Sequence, residues 1–159
     1  MSKNTKELSA LWWDWLSTSE RLLRSLHEQT AALTLRQVDR VERIQPELDG
    51  LMELMAEIDM KAAASAKKLA EEFGCEPNLR SLVGVLEKAE AQQIQSVANR
   101  VIVAGRNVQA VIAKNRALIE NELEFVNGTV ALIAKESADS QGAYEGKVRQ
   151  ANVLMNQAA

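Results

Sequence analysis

From Glu87 to Lys135 the chain repeats one amphipathic pattern without a proline, and no other feature limits its fold so sharply. Steps of three and four residues from Val97 pick out Val101, Ala104, Val108, Val111, Asn115, Leu118, Glu122, Phe125, Thr129 and Leu132. Eight of these eleven positions are apolar, which marks one stripe along a helix rather than a loop or a strand. A helix of that extent is about 75 Å long at a rise of about 1.5 Å per residue. Such a rod does not fold back into a globule, so the expected architecture is an elongated bundle. Bundles of this kind more often bind other chains than turn over substrates.

Two further helices are expected upstream. The first starts near Asn4 or Thr5, either of which can cap the free amides of a first turn. Its seam runs Leu8, Trp12, Trp15, Ser19, Leu22, Leu26, Gln29 and Leu33, and Leu11, Leu16 and Leu23 widen it enough to face more than one neighbour. The pattern thins at Thr34–Asp39, where a break is placed. The second helix follows the seam Ile44, Leu48, Leu51, Met55, Ile58, Ala62, Ser65 and Leu69 to about Phe73. Pro46 either marks its first turn, where the missing N–H costs nothing, or kinks a longer helix. A start just before Pro46 is preferred, with Val38–Ile44 as a short preceding turn. Small residues at Ala62–Ala66 permit close approach of another helix.

Gly74-Cys75-Glu76-Pro77-Asn78 is the clearest punctuation. Gly74 suits a left-handed cap, Pro77 cannot continue a helix, and Asn78 is a good N-cap. A third long helix is therefore expected from Leu79, with an irregularity at Gly84 and with Gly105 and Gly128 accommodating close contact or bending. After Ser137 the composition shifts, and Gly142 and Gly146 weaken helix. Tyr144, Val148, Ala151, Met155 and Ala158 still repeat at helical spacing, as in a short amphipathic segment that needs a surface to order it. The expected organisation is an all-α antiparallel bundle over residues 1–137, with a mobile tail over 138–159 that has the pattern of a short fourth helix.

Charge and composition exclude several function classes. The net charge of −3 is evenly spread, with no basic stripe, which argues against a nucleic-acid or anionic-membrane partner. No apolar run is long enough to span a membrane, the N-terminus lacks a signal-peptide core, and one cysteine fits a reducing compartment, so the expected location is cytoplasmic. One histidine and one cysteine cannot build a zinc site, and neither phosphate-binding nor nucleophile-elbow motifs occur. His27 reads as an ordinary surface residue and Cys75 as an ordinary loop thiol. Glu120, Glu122 and Glu124 are spread around a helix and do not converge. No enzyme, metal or cofactor is expected. Among the methionines, Met52, Met55 and Met60 read as core filler.

Trp12-Trp13-Asp14-Trp15 is the oddest short segment. Trp12 and Trp15 share a face with Leu8 and Leu11 and are expected to close one end of the bundle. Trp13 points about 100° away from Trp12, which makes it a possible hydrophobic anchor for a partner.

The segment Lys114-Asn115-Arg116-Ala117-Leu118-Ile119, followed by Leu123, Phe125-Val126, Leu132-Ile133 and Tyr144-Glu145-Gly146, resembles the FlgN-like flagellar export chaperones. In that family an N-[G/R]-x-L-[L/I] stretch precedes a tail with a Tyr-Gly element; here Glu145 intervenes. The front half is also similar, with Glu28-Gln29-Thr30-Ala31-Ala32-Leu33, a break, and Arg40-Val41-Glu42-Arg43-Ile44. The resemblance implies a chaperone that binds hook–filament junction proteins, masks their terminal helices and delivers them to a flagellar export-gate component. On that basis Tyr144 is assigned to the export machinery. Phe125, Val148, Leu154 and Met155 are the apolar residues expected to hold the client, in helix-in-groove fashion. Two other classes remain open on the residues alone: a self-associating coiled-coil adaptor or structural protein, and a helical-bundle sensor module.

Overall fold

The computed structural model describes residues 2–140, and these form four helices with no strand among them: α1 Lys3–Thr34, α2 Val38–Phe73, α3 Leu79–Val85 and α4 Lys88–Ser140. The all-α bundle expected from periodicity is what forms, with three long helices and one short one. The chain divides into two compact units, Met1–Ala113 and Lys114–Ala159.

In the first unit α1 and α2 make an antiparallel hairpin. Leu8 packs in one cluster with Ala62, Leu69 and Leu82, whereas Trp15, Leu22, Leu26 and Ala32 pack with Ile44, Leu48, Leu51, Met55 and Ile58. All eight seam positions of α2 are buried, because the straight 3-4 repeat keeps each one on the face turned to α1. The first half of α4 runs alongside α1 in the same direction. The Ser2 amide donates to the Glu90 carboxylate at 3.1 Å, and Trp15 Cη2 lies 3.6 Å from the position a Cβ would take on Gly105. Val108 completes the core, flanked by partly buried Val101, Ala104, Val111 and Ile112. Gly105 thus does permit close approach, while the space around Gly128 is open.

Several boundaries differ from the sequence reading. The N-cap of α1 is Ser2, not Asn4 or Thr5: its hydroxyl accepts from the Thr5 amide at 3.2 Å, and Thr5 itself is buried one turn into the helix. Helix α2 is continuous from Val38, with Pro46 inside it rather than at its start. Pro46 removes the amide that would reach the Glu42 carbonyl, an effect that costs about 3 kcal/mol in an isolated helix. Here Pro46 and Glu42 lie on the exposed side, so water can satisfy that carbonyl, while Ile44 and Leu48 on either side of the proline are buried. The third long helix is interrupted at Leu86, not at Gly84. Leu86 takes an extended conformation (φ −82°, ψ 156°) with its side chain still buried, and so separates α3 from α4. Met52 and Met60 are exposed, since they lie off the line Leu51–Met55–Ile58, and only Met55 is core.

Two helix ends show one motif made with different residues. After α2, Gly74 is left-handed (φ 64°), and the amides of Gly74 and Cys75 reach the Glu71 and Ala70 carbonyls. After α1, Arg36 takes the same conformation (φ 55°), and the amides of Arg36 and Gln37 reach Leu33 and Ala32. Both are the six-to-one and five-to-two pattern that satisfies the last carbonyls of a helix. Sequence marks the first by its glycine. The second carries no such mark, and the break at Thr34–Asp39 is legible only as a loss of pattern.

Candidate functional site

The candidate site lies on the second half of α4, in the unit that begins at Lys114. The helix forms there for the same reasons as upstream: a 3-4 apolar repeat, abundant alanine and glutamate, and no proline. Burial along its seam nevertheless ends at Asn115, which is only 2% exposed. Leu118, Leu123, Val126 and Val130 are half-buried, and Ile119, Phe125, Leu132 and Ile133 are exposed. Leu118, Phe125 and Leu132 recur every seven residues, so they form one line about 21 Å long at about 1.5 Å per residue. Phe125 is 56% exposed and Leu132 64%. The line is interrupted by Glu122 and by Thr129, whose hydroxyl donates back to the Phe125 carbonyl at 3.0 Å.

Chemically this is a strip of apolar side chains at helical spacing, exposed at Phe125 and Leu132. It offers apolar surface at the spacing that takes the complementary stripe of another helix. Among the described residues no group of three or more His, Cys, Asp or Glu side chains is placed to hold a metal ion. His27 is exposed and Cys75 half-buried in the turn after α2.

Of the residues singled out in the sequence, Phe125 lies on this strip. Leu132 joins it, while Ile119 and Ile133 are exposed about 100° around the helix from Leu118 and Leu132; sequence reasoning passed over all three as site residues, although the 3-4 repeat contains Leu132 and the N-[G/R]-x-L-[L/I] match contains Ile119. Val148, Leu154, Met155 and Tyr144 lie outside the described residues. Trp13 is on α1, 48% exposed, with the Arg100 guanidinium carbon 5.4 Å from its ring centroid. Trp15 is buried and Trp12 half-buried, each in a different core cluster, so the tryptophans do not act as one unit.

The described residues form a helical bundle with exposed apolar side chains on α4, and no helix among them is long and apolar enough to cross a membrane. The profile of one family, described as FlgN protein, matches residues 1–151, and the chain belongs to that family. It is a family of flagellar export chaperones, not of enzymes, which sets the broad role of the chain in flagellar assembly and its partners as flagellar proteins. No curated protein and no solved structure matches the chain.

Proposed function

We propose that the protein is a cytoplasmic chaperone for hook–filament junction proteins, and that it covers their terminal helices until they are handed to the flagellar export gate. The observation that carries this reading is the apolar line Leu118–Phe125–Leu132, half-buried at Leu118 and exposed at Phe125 and Leu132, on a helix whose preceding half buries the same pattern. A subunit awaiting assembly presents an apolar helical seam, and a second seam of matching period can shield it. Val148, Leu154 and Met155 in residues 138–159 extend the client surface in this proposal, and Tyr144 contacts the export machinery.

Burying the exposed part of Phe125 and of Leu132 contributes about 1–1.5 kcal/mol each. The double substitution Phe125→Asp/Leu132→Asp is therefore expected to weaken binding of a junction protein's terminal-helix fragment by about a hundredfold, because it also sets two charges against an apolar partner. The measurement is titration calorimetry with the full chain, beside a thermal melt that should be unchanged. Undiminished binding defeats the assignment of the strip. A wild-type protein that binds no such fragment but doubles its mass in ultracentrifugation, reverting in the double variant, supports self-association instead. Tyr144→Ala is expected to bind client normally and to fail in secretion.

A further inference from the structure

A second surface lies far along the chain from the α4 strip. Trp13 stands at the edge of a groove between α1 and the start of α4, lined by Ser9, Ala89, Gln92, Gln93, Ser96 and Val97. Across the ridge of Gln92 and Ser96 a neighbouring groove continues over Gln95 and Asn99 to Lys88. The lining of both grooves is neutral apart from Lys88. Glu90, between them in sequence, accepts the Ser2 amide. Among the described residues no carboxylate pairs with Arg100, whose guanidinium lies over the ring of Trp13.

This combination is selective. Trp13 leaves half of the largest apolar side chain in water on a chain whose other two tryptophans are drawn into the core. A guanidinium stacked on an indole uses its flat face and keeps its in-plane N–H donors for a carboxylate. The glutamine, asparagine and serine side chains can donate to and accept from peptide groups without placing further charge in the groove. A purely apolar helix laid here would desolvate Arg100 without a partner, which costs more than the indole contact returns. A basic segment would meet Arg100 and Lys88. Nucleic acid draws its affinity from many phosphate contacts, and two cations offer few.

We propose that the Trp13–Arg100 groove is a second docking site, for an acidic peptide segment of a partner protein that sets a carboxylate against Arg100 and an apolar side chain against Trp13.

The test uses the full chain and a capped, fluorescein-labelled peptide of about twelve residues built from Glu, Phe and Ala, with a Gln-for-Glu counterpart, followed by fluorescence anisotropy. The Glu peptide is expected to bind at least about tenfold more tightly than the Gln peptide and to weaken as salt is raised, because screening acts on an exposed ion pair. Arg100→Gln and Trp13→Ala should each reduce its affinity at least about fivefold, and Phe125→Asp/Leu132→Asp should leave it unchanged. Trp13 and Arg100 are both exposed, and a thermal melt of each variant separates lost binding from lost folding. Equal affinity for the two peptides overturns the proposal, as does binding indifferent to Arg100→Gln in a protein that melts normally. Tighter binding of a short single-stranded DNA than of the Glu peptide overturns it in favour of nucleic acid.

Discussion

The two halves of α4 carry the same pattern to opposite ends. Between Lys88 and Ala113 the stripe sinks Ile94, Val97, Ala98 and Val108 into the core of the first unit. From Lys114 to Ser140 the stripe continues with larger side chains at Leu118, Phe125 and Leu132, yet Phe125 and Leu132 meet solvent. Periodicity reports that a helix has an apolar side. It does not report whether anything covers that side. One half of the helix builds the scaffold, and in the other Phe125 and Leu132 are exposed.

The comparison breaks most easily with a matched pair of substitutions. Val97→Asp places an unpaired carboxylate among core side chains and is expected to cost about 3–5 kcal/mol. Phe125→Asp, at an exposed site, should change stability by less than about 0.5 kcal/mol. Urea denaturation of both variants measures the gap, and equal losses would mean that the second half is covered after all.

Amide exchange sharpens it next. Residues 94–112 should open only with the core, while residues 118–137 have fewer buried contacts to hold their hydrogen bonds closed. Exchange in the second stretch is expected to be at least about tenfold faster, measured by mass spectrometry or NMR.

A smaller effect probes the buried regime alone. Among the described residues, Ser65 Oγ in the α2 seam and the indole nitrogen of Trp15 on α1 are buried with no hydrogen-bond partner. Ser65→Ala removes the desolvated hydroxyl and should raise stability by about 1 kcal/mol. A loss of stability would show that the hydroxyl finds a partner in solution.

The smallest effect compares the two helix glycines. Gly105→Ala adds a methyl at ordinary contact distance from Trp15, and Gly128→Ala adds one in open space. Each gains up to about 1 kcal/mol of helix propensity. The first should raise the melting midpoint of the bundle, and the second should raise helicity with little shift in that midpoint.

Much of the scaffold was legible in residue order. The eight-position seam of α2, the left-handed Gly74, the Asn78 cap whose side chain accepts from the Ser81 amide at 2.8 Å, and the outward turn of Trp13 all follow from local rules. These rest on helical period and on the conformational freedom of single residues, which act within a few positions along the chain. The strip around Phe125 was half legible: its residues repeat on the seam, but so do those of Val97 to Val111.

What escaped the sequence required knowing neighbours. A helix through Pro46 persists because the freed carbonyl faces water while Ile44 and Leu48 are buried. Arg36 adopts a conformation that side chains resist, since the helix end must close its carbonyls there. Leu86 keeps its side chain in the core by extending its backbone. Met52 and Met60 are exposed although methionine is apolar. Residue order alone shows that this chain is helical and where its apolar stripes run, because period and composition are local quantities, and the match over residues 1–151 supplies its family. The tertiary structure alone decided which part of the longest stripe is core and which is surface, because burial depends on what stands opposite a side chain, and nothing in its own sequence position specifies that.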